Sequence, residues 1–372
     1  MTHAISSKIK SQPRGSIPAG RSFQIPSLDG IRAIAVMIVF VAHAGLDRFV
    51  PAGFGVTVFF FLSGYLITTL LRREFEQTDR ISIKHFYLRR VLRIFPPMYL
   101  YLAFVIGLHL AGIFPLPITT KGVFIQCLFL ANYQQIFHTV NELPSMVPSG
   151  SRILWSLAVE EHFYLFFPFF FVFCRRCLNA RNFAKLLLGI CLGTLIWRCV
   201  LVFGLNAPVV RTYVATDTRI DSILFGCVMA VWGNPALDRP LLKGATAKCV
   251  LLLVAAGALA FTFVFRTPGF RETFRYSIQG LALMPIFYLA ISEHDWPIFS
   301  FLNWSWMRLL GLLSYSIYLF HFSLIYLAQK IVGHDDKSLA TGIIALSLTL
   351  SIAYLIHRLV ERPLSSVRKK LH

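Results

Sequence analysis

Acidic side chains are scarce in this sequence. Only 17 of 372 residues are Asp or Glu, against 36 Lys or Arg, and charged residues of both signs make up 14%. A soluble domain usually carries about 25% charge. With 56% hydrophobic residues, the chain is not intrinsically disordered, because disorder needs low hydrophobicity and abundant charge. Familiar enzyme fingerprints are missing as well: there is no GxGxxG, P-loop, HExxH or GxSxG, so those enzyme classes lose support. No internal repeat is visible, which counts against an inverted-repeat transporter. Residues 1–24 hold Lys8, Lys10, Arg14 and Arg21 without an apolar core. They read as a basic cytoplasmic tail and not as a signal peptide. The seven cysteines do not form a disulfide framework, since most lie in apolar surroundings where Cys behaves as a small hydrophobe. Cys174 and Cys177 have CxxC spacing but no second pair, so no metal site is expected.

What the sequence does have is apolar length. Stretches at about 31–47, 54–71, 92–113, 154–173, 186–204, 220–233, 249–265, 274–291, 306–328 and 340–357 approach the roughly 20 residues that cross a bilayer. The least secure are 54–71, which is Gly-rich at its start, and 220–233, which is short and begins with charge. A further stretch, 121–137, holds Asn132, Gln134 and Gln135 and reads as an interfacial or re-entrant helix. The expectation is an all-α polytopic membrane protein of about ten transmembrane helices with both termini cytoplasmic. Residues 25–365 form the transmembrane domain, and 366–372 form a second basic tail.

The position of the charges explains the net +19. Arg72, Arg73, Arg89 and Arg90, then Arg175, Arg176, Arg181 and Lys185, collect in inner segments, as cytoplasmic loops require. The segment around Arg266, Arg271 and Arg275 fits this pattern badly. Basic residues confined to short gaps between spans argue against a nucleic-acid partner.

Ionisable groups inside apolar spans must be compensated, and they commonly mark function. His43 lies near the far end of the first span. It is either a structural histidine or a general base, since neutral imidazole takes a hydroxyl proton near neutral pH. Asp47, four residues on, could orient it or face solvent. Glu160 and Glu161 open the fourth span. As helix neighbours they point about 100° apart, so one carboxylate would face the interior and the other elsewhere, or both would serve an interhelical ion network. Asp217, Arg219 and Asp221 alternate in sign, which favours structural pairing. Arg72, Arg73, Arg90 and Arg93 flank one inner loop; each could be a membrane anchor, and together they could hold phosphates.

In order and spacing these residues resemble the acyltransferase 3 family of membrane acyltransferases, mostly O-acetyltransferases of bacterial surface polysaccharides. The matching blocks are 25–36 around Asp29, Gly30 and Arg32, then His43, 53–67 around Ser63 and Gly64, 86–94 with Arg90 and Arg93, and 155–164 with Glu160 and Glu161. Weaker matches follow at 217–221, at 311–321 and at Glu361, Arg362 and Pro363. Together they cover about residues 25–365.

The resemblance implies a membrane-bound O-acyltransferase of the bacterial inner membrane that moves an acyl group, usually acetyl from acetyl-CoA, to a saccharide such as O-antigen or exopolysaccharide. It implies a catalytic role for His43, an acidic role for Glu161 or Glu160, and donor handling by Arg90, Arg93 and Arg72 or Arg73. Many relatives of this kind carry an extra span and a hydrolase-like domain. This chain is expected to lack both and to transfer directly or with a partner. His162 stands where the family often has Gln, and Phe320 where it often has Trp. The rival reading is a proton-coupled membrane transporter using His43 and Glu161.

Overall fold

The computed structural model describes residues 24–114, 118–137, 150–333 and 338–371. Every described element is helical, as expected of backbone that must satisfy its own hydrogen bonds in lipid. Ten long helices follow the expected segments: α1 Leu28–Val41, α2 Ala52–Thr78, α3 Ile83–Leu110, α4 Leu154–Cys177, α5 Ala180–Cys199, α6 Thr216–Val231, α7 Ala245–Val264, α8 Phe274–Ser292, α9 Ser305–Val332 and α10 Leu339–Ile356. An amphipathic helix, α11 Arg362–Lys369, continues from α10 through a π-helical turn. Residues 138–149, before α4, lie outside the described residues, as do Pro115 and Pro117.

Nine of these helices are long and apolar enough to cross a membrane. The exception is α6, with 16 residues, or about 24 Å at the helical rise. Thirteen of the 16 residues are buried. It is sheathed by α2, α5 and α8, so protein and not lipid surrounds its polar start. The 121–137 stretch becomes two short helices, Thr120–Cys127 and Ala131–Phe137, broken at Phe129, where φ is 58°. Neither is long enough to span.

Glycine allows the central helices to touch. A Cβ on Gly64 would lie 2.0 Å from the Ile223 carbonyl oxygen, and one on Gly226 would lie 2.0 Å from that of Phe61. Without a hydrophobic drive between helices in lipid, such close backbone packing is a main source of attraction. A second close approach joins α1 to α9, where a Cβ on Gly311 would meet the Asp29 carbonyl at 1.9 Å.

Asp217, Arg219 and Asp221 resolve into structural contacts. Asp217 pairs with Arg211 at 2.5 Å, and Asp221 with the wholly buried Arg198 at 2.7 Å. Arg198 also donates to Ser277 and to the Thr273 and Thr218 carbonyls, tying α5, α6 and α8 together. Arg219 sits among the rings of Phe60, Trp155, Tyr213 and Tyr276, the last with its centroid 4.0 Å away.

Candidate active site

The first span does not end as a regular helix. α1 passes into a π-helical turn over Ala42–Leu46, with Gly45 at φ 124°; such bulges re-aim side chains and are frequent at functional sites. The turn directs His43 at α9, where its Nδ1 lies 3.0 Å from His321 Nε2. His321 is buried, and its own Nδ1 lies 2.6 Å from the Tyr318 carbonyl oxygen, one turn earlier on α9. That carbonyl can only accept, so His321 Nδ1 carries the proton and Nε2 is the acceptor. His43 Nδ1–H therefore donates to His321, and the basic lone pair of a neutral His43 resides on Nε2. Phe322 packs edge-on against His43. Asp47 is exposed, so the described group on His43 Nδ1 is a second histidine and not the nearby carboxylate.

A cavity opens between α1, α2, α3, α4 and α9. Arg32, Arg90 and Arg93 stand in its wall with Glu160, Ser63 and Tyr318. The long helices set the order of these groups. On α9, Tyr315 donates to the Ile94 carbonyl beside Arg93, Tyr318 follows one turn later, and His321 one turn beyond. Six residues separate Tyr315 from His321, about 9 Å along the axis. Tyr318 closes the inner end: its hydroxyl lies 2.5 Å from Ser156 Oγ and donates to the Ile153 carbonyl. The guanidinium groups thus line the cavity, while the histidine pair does not line it and lies beyond Tyr318, one helical turn further along α9.

The two carboxylates of α4 separate as their helical offset predicts. Glu160 lines the cavity and accepts a 2.8 Å hydrogen bond from Tyr164. Glu161 does not line it, and its Oε1 is buried without a hydrogen-bond partner among the described residues. Arg90 lies over the rings of Phe86 and Tyr164, its Nε also buried and without a hydrogen-bond partner among the described residues.

The four candidate arginines of α2 and α3 also divide. Arg90 and Arg93 line the cavity, whereas Arg72 and Arg73 do not. Arg72 grips Asp238 through two hydrogen bonds of 2.8 and 2.5 Å, pairs with Glu76, and donates to the Ala230 and Val231 carbonyls at the end of α6. Its donors are used in the fold. Burial alone would raise the Asp238 carboxyl, but the hydrogen bonds and charge of Arg72 outweigh it and hold the group below its usual 3.8. A depressed acid stabilises the folded state above its unfolded pKa and loses that contribution as pH falls through the folded value. Removing the carboxylate in D238N is therefore expected to lower stability by about 1–3 kcal/mol at neutral pH. The gap between wild type and D238N should shrink below roughly pH 4, read as detergent melting curves across pH.

Two residues at the heart of the arrangement were not among the candidate site residues. His321 and Tyr318 belong to the 311–321 block, and a histidine inside an apolar span was the available signal. Arg32, quoted within the first block, is the other addition to the cavity wall.

The comparisons with known proteins give the family. A family model described as an acyltransferase domain matches residues 25–358. The chain is 31% identical over 360 residues to the peptidoglycan O-acetyltransferase OatA of Listeria monocytogenes, covering 91% of this chain and 56% of that protein. It is 30% identical over 353 residues to the O-acetyltransferase OatA of Staphylococcus aureus, covering 93% and 57%. The chain thus spans a little over half the length of these relatives. No solved structure matches it. The chain belongs to the acyltransferase 3 family.

Proposed function

We propose that the chain is a membrane-bound O-acyltransferase moving an acyl group, acetyl in the first instance, from acyl-CoA to a hydroxyl of a cell-surface or exported saccharide. The observation that carries this reading is the cavity walled by Arg32, Arg90 and Arg93, with the His43–His321 pair one helical turn beyond its Tyr318 wall. In the proposed step His43 Nε2 takes the hydroxyl proton, and the hydroxyl oxygen attacks the thioester carbonyl carbon. The carbon–sulfur bond then breaks, and the proton passes to the departing thiolate. Arg90 and Arg93 hold the donor's anionic portion, and Glu160 on the cavity wall balances their charge. Glu161, turned away from the cavity, supports α4 and Arg90.

The distribution of Lys and Arg supports cytoplasmic termini and a place in the bacterial inner membrane, with the donor arriving from the basic end. The name of the Listeria relative sets peptidoglycan beside O-antigen and exopolysaccharide as acceptor. The direct test incubates membranes carrying the protein with labelled acetyl-CoA and extracted glycans. Labelled glycan is the expected product; label crossing the membrane without an acylated product would mean transport instead.

The arginines give a sharper contrast. R90Q and R93Q are each expected to raise the KM for acetyl-CoA by roughly tenfold or more, the worth of a charge-assisted hydrogen bond. R72Q should leave KM near the wild-type value while lowering the melting temperature. Equal KM effects at all three positions would refute this division.

A further inference from the structure

Beyond the cavity wall formed by Arg32, Arg93, Ser314 and Tyr315 lies a second cavity, which shares those four residues with the first. Its far side is built by α11 and the turn before it, through Leu364, Ser365, Arg368, His357 and Glu361. The family match stops at residue 358, so α11 falls outside it. α11 is held in place: it packs on α3, and Arg89 donates to the Leu371 carbonyl at 2.9 Å. Leu364 and Arg368 are four residues apart and share one helical face, which turns toward the cavity.

The charges lining this space are unbalanced. Three arginines from three elements, Arg32, Arg93 and Arg368, face one carboxylate, Glu361. Both oxygens of that carboxylate are engaged: Oε1 accepts from Ser316 at 2.7 Å, and Oε2 lies 3.0 Å from His357 Nδ1. Arg32 has Asp29 at 2.8 Å, but Asp29 is half-exposed and does not line the cavity. The side chains of Arg93 and Arg368 make no hydrogen bond or ion pair among the described residues, and Arg368 Nε is buried. Three guanidinium groups converging on a partly enclosed space repel one another unless an anion joins them, and their donor forks fit phosphate oxygens.

We infer that this second cavity is a phosphate-binding site, completed by Arg368 of α11, which takes the phosphorylated end of the acyl donor. The inference rests on the acyl-CoA reading for the source of the phosphate, since an anionic lipid headgroup presents the same chemistry. With the terminal phosphate here, Arg90 and Arg93 hold the rest of the donor's anionic portion, and the thioester end extends through the first cavity toward Tyr318.

The test is binding to the purified full chain in nanodiscs, which requires no turnover. Coenzyme A, 3′-dephospho-coenzyme A and pantetheine are titrated against wild type, R368Q and R368K, in phosphatidylcholine discs with and without phosphatidylglycerol. Wild type should bind coenzyme A more tightly than pantetheine. R368Q should lose roughly tenfold or more of coenzyme A affinity with pantetheine binding unchanged, and R368K should retain part of it. Unchanged coenzyme A affinity in R368Q, with unliganded melting temperatures matched, would overturn the assignment. Failure of wild type to bind coenzyme A, with stabilisation by phosphatidylglycerol that R368Q abolishes, would keep the phosphate site and refute the acyl-CoA donor. Absence of both effects would refute the site itself.

Discussion

Replacing His43 with alanine should reduce acyl transfer by about 10²–10⁴-fold, the range over which a positioned general base contributes, with little change in the KM for donor. The prediction follows from the tautomer forced on the pair. The Tyr318 carbonyl fixes the proton on His321 Nδ1, and His321 in turn fixes the proton on His43 Nδ1, so the base always presents the same nitrogen. H321A removes that orientation without removing the base. Its expected loss is smaller, about 10–10²-fold, and it should shift the pH–rate profile because the imidazolium formed on His43 loses its acceptor. In the double variant the losses should not add, since both residues act through one nitrogen. Transfer assays on the four proteins across pH decide the matter. Additive losses would mean that the two histidines act separately.

The second large effect is structural. Gly64→Leu should abolish folded protein, because its side chain would enter the backbone of α6 at Ile223. Overpacking in a yielding core costs about 1–3 kcal/mol, but here the obstacle is a helix backbone that cannot rotate aside. The same α2–α6 contact holds Ser63 at the cavity wall. Gly226→Ala should fail similarly at Phe61, whereas Gly189→Ala, with nothing within 4 Å of the added carbon, should fold as wild type. Detergent size-exclusion profiles of the three variants read the difference. A monodisperse Gly64→Leu protein with wild-type melting would show that α2 and α6 do not need this approach.

Much of this architecture was legible in the residues because lipid imposes one rule, an apolar stretch of fixed length. α7 shows the rule at full strength, with most of its length turned outward. It weakens where protein replaces lipid as the surroundings. α6 could be short and could begin with Asp217, Arg219 and Asp221 because Arg211, Arg198 and four aromatic rings receive those charges, and Arg198, Phe60, Trp155 and Tyr276 come from other parts of the chain. The site was legible by residue type and not by partnership. His43, Glu160, Arg90 and Arg93 stood out as charges in apolar surroundings. The α4 offset foretold that one carboxylate would face inward, but only packing selects Glu160. Arg72 was indistinguishable from Arg90 as a basic residue beside a span, since its fate depends on Asp238, 166 positions away. His321 was visible as part of a block, yet its meaning lies in a contact across 278 residues.

The chain of hydrogen bonds that runs from His43 through His321 ends on the peptide oxygen of Tyr318. A peptide oxygen accepts a hydrogen bond but does not hold a proton at physiological pH, so this arm cannot pass a proton onward. In the proposed step the proton that His43 removes goes to the departing sulfur and does not travel along this arm. Turnover along this route moves no net charge through the bilayer. Transfer in sealed vesicles should therefore run at the same rate when an ionophore collapses the proton-motive force, and the membrane embeds this chemistry without powering it.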